Sequence, residues 1–231
     1  MEDLLLDLVA ANRILAAHGV IDAYGHVSLR SPRNPQRYYL ARSLAPEAVR
    51  PEDLIEYDLN SKPLDDQGRE SVGERFIHGE VYKARPEVMA VVHNHSPSVI
   101  PFSVTGVPMK PIFHMSAFVG EGVPVFEIRD VEKGTDLLVK TPKLGAAFAR
   151  TLSNKSASLM RGHGAVVVGE NLPRAVGRSI YLEQSARLQM QAMLLSRDIT
   201  YLDKAEVRAA NPLQEYKRAW ALWRDKALKE L

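Results

Sequence analysis

Ala90-Val91-Val92-His93-Asn94-His95-Ser96 decides the reading of this chain. The apolar run from Val88 to His93 is rich in β-branched residues and follows a proline, Pro86. That is the signature of a buried strand. Side chains two apart on a strand share a face, so the imidazoles of His93 and His95 point the same way. A His-x-His pair at a strand end is a natural pair of metal ligands, although the motif alone also fits an inert structural pair.

Outward from this strand, helical and strand patterns alternate irregularly. Residues 4–18 place Leu5, Leu8, Val9, Asn12, Leu15 and Ala16 at helical spacing, with Gly19 as a C-cap. Strands are expected at 23–30, Tyr38–Ala41, Leu54–Asp58, Val123–Ile128, Ser158–Met160 and Ala165–Val168. Helices are expected from Glu74 to Lys83, over Pro142–Leu152, across about 173–196 behind an Asn171 cap, and over about 213–229. The stretch 60–68 reads as a polar loop. No repeat, linker or low-complexity segment divides the chain. One mixed α/β domain over 1–231 is expected, with a C-terminal helical extension from about 200.

Composition narrows the chemistry. The 231 residues are 45% hydrophobic and 25% charged, and the formal net charge is +2 without a long run of one sign. Nucleic acid is therefore not expected as a partner. There are no cysteines, which removes disulfides, thiolate metal sites and a cysteine nucleophile. No basic region precedes the first apolar stretch, and no apolar run reaches the length of a membrane span. The expectation is a cytoplasmic protein with no membrane contact.

Among the seven histidines, His163 stands out beside the 93/95 pair. It is flanked by Gly162 and Gly164 between two expected strands, where glycine lets the backbone bend and come close to a ligand. Three imidazoles would leave a divalent ion with open coordination positions, as catalysis requires. Glu74, at the start of a helix, suits a general acid or base near such an ion. It equally suits a charge that favours the helix dipole.

Four segments, in this order and spacing, resemble the class II aldolase/adducin family: Gly25-His26-Val27-Ser28, Glu74-Arg75-Phe76-Ile77-His78, the 90–96 stretch, and Arg161-Gly162-His163-Gly164-Ala165-Val166-Val167-Val168-Gly169. The resemblance runs from about residue 5 to 198. It implies a three-layer α/β/α sandwich around a mostly antiparallel sheet, assembled as a homotetramer with sites between subunits. It also implies a metal triad at His93, His95 and His163 and a catalytic acid/base at Glu74. Three neutral imidazoles suit Zn; Mn is the other leading expectation, and Co and Fe are compatible.

Departures from the sugar-phosphate pattern change the expected substrate. His26 replaces an Asn, Val72-Gly73 replaces a Ser-Ser pair, and the segment from Leu40 to Pro46 has no Thr-Gly. Too few donors remain for a phosphate. The segments Gly-His-Val-Ser, Arg42-Ser43-Leu44-Ala45-Pro46 and Glu74–Glu80 look like the family's decarboxylase branch, of the hydroxy-methylpyridine-dicarboxylate or dihydroxyphthalate type. Arg42 and Arg75 then become candidates for a substrate carboxylate, with Ser43 beside them, or else surface arginines. His26, Glu74 and His114 are candidate proton donors; a histidine in the segment around His114 also suits a structural role. Tyr216 either packs with Trp220 and Trp223 or reaches an adjacent site. Glu183 can support a ligand histidine from behind, and His18 suits a favourable charge at a helix C-terminus.

Three functions follow. The first is a metal-dependent decarboxylase of a hydroxylated aromatic or heteroaromatic carboxylate. The second is an aldolase acting on an unphosphorylated hydroxy-ketone or keto-acid. The third is a non-catalytic, adducin-like interaction module, against which the complete triad and Glu74 argue.

Overall fold

A computed structural model of the chain describes residues 2–229. Its centre is a seven-stranded sheet in the order β3-β2-β1-β4-β7-β6-β5. The strands are β1 (His26–Arg30), β2 (Arg37–Ala41), β3 (Leu54–Asp58), β4 (Ala90–Asn94), β5 (Val125–Phe126), β6 (Ala157–Met160) and β7 (Gly164–Gly169). Every pairing is antiparallel except the short β5–β6 contact. Among the described residues, no helix is long and apolar enough to cross a membrane.

Strand periodicity builds two cores. Ala90 and Val92 of β4, with Val27 and Leu29 of β1 and Ala165 and Val167 of β7, enter one core. That core is closed by α1 (Glu2–Ala17), α3 (Ile100–Thr105), α5 (Leu172–Leu195) and α7 (Lys217–Leu228). Val91, Val166 and Val168 face the other way, onto α2 (Arg75–Ala84) and α4 (Pro142–Leu152). The result is the expected α/β/α sandwich. The strands are apolar on both faces because both faces are covered.

The helix ends follow their sequence signals. Gly19 leaves α1 at φ 64°, a left-handed conformation that glycine adopts freely. Asn171 and Thr141 accept the N–H groups of Arg174 and Leu144 to open α5 and α4.

Three sequence expectations are corrected. The strand expected over Val123–Ile128 shrinks to two residues, because the Glu127 side chain takes the Arg129 N–H and starts a tight turn at Ile128–Asp130. α3 and α6 (Lys204–Ala210) fall in segments that the periodicity left without an element. His18 is not a charged cap: burial and the nearby Lys226 lower its pKa, and its ring meets Trp223 edge-on at 4.9 Å.

Candidate active site

Antiparallel register gathers the histidines at one end of the sheet. His26 opens β1 directly opposite His93 near the end of β4. β7 runs against β4, so its first residues lie beside Asn94, and His163 immediately precedes them. His95 follows two residues after His93. The Nε2 atoms of His93 and His95 are 3.2 Å apart, and those of His95 and His163 are 3.0 Å apart. An oxygen of Glu74 lies 3.4 Å from His93 Nε2 and 3.5 Å from His163 Nε2. All four donor atoms fall within 4.8 Å of one another.

The glycines around His163 have separate reasons. Gly162 turns the chain at φ 64°. At Gly164 a Cβ would stand 2.0 Å from the Asn94 carbonyl oxygen, so only glycine lets β7 approach β4 there.

The second nitrogens of two rings fix the chemistry of the first. His95 Nδ1 lies 3.0 Å from an Asp22 carboxylate oxygen, and His163 Nδ1 lies 3.0 Å from the Leu137 carbonyl oxygen. Both partners only accept, so each Nδ1 carries the proton and each neutral ring presents a lone pair at Nε2. Two lone pairs 3.0 Å apart repel unless a cation lies between them. Ligand nitrogens around a tetrahedral zinc stand about 3.3 Å apart, close to the spacing found. The donor set thus fits a divalent ion, with Glu74 near enough to be a fourth donor. His93 Nδ1 is buried without a hydrogen-bond partner among the described residues, and its ring packs against His26, His95 and His163.

Titration favours the ligand-ready state. Burial and the charge of His93 hold His163 down at about 4. Burial pushes the Glu74 carboxyl up, but His93, His163 and the Val139 N–H outweigh it and bring it to about 2. Glu74 makes no side-chain cap to α2; one of its oxygens accepts from Val139 N at 2.8 Å while the other faces the histidines. Its carboxylate faces the histidines while its backbone caps α2.

A cleft of about 260 Å³ opens beside this cluster, bordered by His26, Arg42, Ser43, Glu74, His95 and Lys140. Arg42 is oriented by Asp53, whose oxygen lies 2.7 Å from Arg42 Nε. Other candidates lie elsewhere. Arg75 spends its donors on the Ser61 and Val72 carbonyls and does not border the cleft. Glu183 accepts the Ser98 N–H and has no hydrogen bond to His93, His95 or His163. His114 and Tyr216 border a different depression, and the Tyr216 hydroxyl donates to the Met115 carbonyl. Trp220 packs into the first core. The sequence reading missed Asp22, the Leu137 carbonyl and Lys140. An Asp before a Gly25-His26 turn was the only available hint, and it does not reveal a bond to a residue 73 positions on.

The class II aldolase and adducin N-terminal domain model matches residues 6–190, and the chain belongs to that family. Among curated relatives, the decarboxylase tropJ of Talaromyces stipitatus is 36% identical, over 93% of this chain and 90% of the relative. The 3,4-dihydroxyphthalate decarboxylase of Arthrobacter keyseri is 27% identical, over 87% and 84%. Among solved structures, L-fuculose 1-phosphate aldolase from Glaciozyma antarctica superposes with a TM-score of 0.80 at 24% identity, covering 97% of this chain and 88% of the other, and shares the fold. The relatives named as enzymes here are decarboxylases and an aldolase, all lyases.

Proposed function

We propose that this protein is a metal-dependent, non-oxidative decarboxylase of a hydroxylated aromatic or heteroaromatic carboxylate. The observation that carries the proposal is the convergence of Nε2 lone pairs from His95 and His163, with His93 and Glu74, beside a cleft that offers Arg42 for a carboxylate. The names of the similar decarboxylases support the same reading.

Each residue then has a task. His93, His95 and His163 would hold a divalent ion, Zn or Mn first, which supplies Lewis-acid stabilisation of negative charge on neighbouring substrate oxygens. Arg42 binds a carboxylate, and Ser43 adds a hydrogen bond. Glu74, ionised at neutral pH, takes the proton of a ring hydroxyl and returns it to the carbon that bears the departing carboxylate. The ring–carboxylate bond breaks and CO2 leaves. The hydroxyl oxygen, left as the anion, regains its proton from water. A homotetramer in a cytoplasmic setting is part of the same proposal, with the exposed His114 placed to serve a neighbouring subunit's cleft and Tyr216 packed behind it.

The test is CO2 release from a panel of ortho-hydroxy and dihydroxy aromatic and pyridine carboxylic acids. Release should stop on chelation and return with Zn, Mn, Co or Fe. An inert panel, together with aldehyde or pyruvate formed from unphosphorylated hydroxy-keto acids, would replace this reading with the aldolase one. Purified protein that neither contains nor takes up metal would point to the interaction module.

A further inference from the structure

His26 is tied at its back to a buried line of side chains that the proposed reaction does not use. His26 and Ser28 alternate on β1 and so share the face turned to α2. His78 and Tyr82, one turn apart on α2, share the face turned to the sheet. The two pairs interlock: His26 Nδ1 lies 2.7 Å from His78 Nε2, His78 Nδ1 lies 2.6 Å from Ser28 Oγ, and Ser28 Oγ lies 2.8 Å from Tyr82 Oη. The Tyr82 hydroxyl has the Met89 carbonyl as a further acceptor at 3.4 Å. His78, Ser28 and Tyr82 are all at most 1% exposed, so no solvent competes for these bonds.

A line of this kind has a direction, because each middle member must donate once and accept once. The carbonyl at the far end only accepts, so Tyr82 donates to it. Tyr82 Oη then accepts from Ser28, Ser28 Oγ accepts from His78 Nδ1–H, and His78 Nε2 accepts from His26 Nδ1–H. We infer that the His78–Ser28–Tyr82 line is a tautomer lock: it holds His26 with its proton on Nδ1 and presents a bare Nε2 to the cleft. Among the described residues His26 Nε2 has no hydrogen-bond partner, and His26 borders the cleft.

The line positions; it does not conduct. Drawing a proton out through His26 would leave a phenolate at Tyr82, and burial pushes that phenol far above its usual value. His78 is thus a positioning residue acting through His26. A bare Nε2 accepts from a hydroxyl, whereas an Nε2–H would favour a carboxylate. On the decarboxylase reading, on which this last step rests, His26 recognises the ring hydroxyl and Arg42 the carboxylate.

The tautomer can be read without turnover. Long-range proton–nitrogen correlation spectra of the full chain labelled with nitrogen-15 histidine, metal-free and zinc-loaded, report which nitrogen of each ring is protonated. His26→Gln assigns the signals. The expected wild-type result is His26 protonated at Nδ1 and bare at Nε2. Tyr82→Phe removes the acceptor of Ser28, which then donates to His78 Nδ1 and reverses the line. His26 should change to the Nε2–H form, although residue 82 does not touch it. Ser28→Ala, should Tyr82→Phe not fold, should shift His26 the same way. An Nε2–H tautomer in the wild type, or a His26 tautomer indifferent to both substitutions, overturns the lock. On any acid that the panel shows to be turned over, Tyr82→Phe should lower kcat/KM about 10-fold and add no loss in a His26→Gln background. A full, additive loss there would mean a purely structural role. An inert panel with the expected spectra would sink the decarboxylase reading and leave the lock standing.

Discussion

The Asp22 carboxylate stands 3.0 Å from His95 Nδ1, on the side of the ring away from the Nε2 that faces His93 and His163. The same carboxylate accepts the N–H groups of Tyr24 and Gly25 and so shapes the turn that leads into His26. One side chain therefore orients the His95 imidazole and places His26, the residue opposite His93 on the sheet. Burial pushes the Asp22 carboxyl up, but the bonds from His95, Tyr24 and Gly25 bring it below its ordinary value, so it is an anion at neutral pH.

Asp22→Asn keeps the turn acceptor and removes the charge behind His95. Zinc affinity should fall roughly 10–100-fold, the range found when such a partner is lost. Competition with a chelator of known affinity measures it, and an unchanged affinity would show that Asp22 only shapes the turn.

The two glycines beside His163 should respond differently to alanine. At Gly164 the added Cβ meets the Asn94 carbonyl at 2.0 Å, a backbone atom that cannot swing away. Gly164→Ala should cost about 3 kcal/mol, which for a chain of this size is roughly 6–12 °C in Tm. At Gly162 no atom lies closer than 3.9 Å and only the positive φ is strained. Gly162→Ala should cost about 1 kcal/mol. Thermal unfolding of the metal-free protein separates the two; equal losses would mean that the close approach is not what Gly164 provides.

Much of this was legible in the chain because the signals are local. The His93/His95 pair, the glycines around His163, and the caps at Gly19, Thr141 and Asn171 each lie within a few residues of what they determine. The α6 helix was legible too: Asp203 and Glu206 form a capping box, though the segment was passed over. The Asp22–His95 and His26–His78 bonds depend on sheet register and helix rotation, and no short window contains both partners. The partner of His163 is a backbone carbonyl, which no side-chain pattern marks. For Arg75 the sequence left a substrate contact and a structural arginine open, and adjacency to Glu74 does not choose between them. Neighbours at a helix start are turned about 100° from each other, and Arg75 swings onto the Ser61 carbonyl while Glu74 faces the histidines.

Acid should weaken the metal-free protein earlier than its carboxylates alone would. Burial first, then the charge of His93, lowers His78 from 6.5 to about 3. Between those values the unfolded chain binds a proton that the folded chain refuses. Stability is therefore complete above about pH 6.5 and falls as the pH drops towards 3. The shift of His163 to about 4 acts in the same direction, whereas Glu74 contributes only below its ordinary value of 4.5. By pH 5 the loss from His78 alone should be on the order of 2 kcal/mol. Urea midpoints at pH 7.5 and pH 5 test this. The drop between them should be smaller in His78→Gln than in the wild type, and an equal drop would remove His78 from the account.

Arg42 is the guanidinium that borders the cleft, and its Asp53 partner binds it through Nε. That bond sets the plane of the guanidinium and leaves its two terminal nitrogens for a ligand. A carboxylate takes both in a planar, two-point contact that an ammonium cannot reproduce. On a substrate acid, Arg42→Lys should raise KM about 10-fold, with kcat changed less than 2-fold, because charge is kept while the paired geometry is lost. Arg75→Lys is the control: Arg75 donates to the Ser61 and Val72 carbonyls and lies outside the cleft, so KM should not move. If the two variants behaved alike, carboxylate recognition would have to be sought in Lys140, whose ammonium borders the same cleft while paired with Asp136.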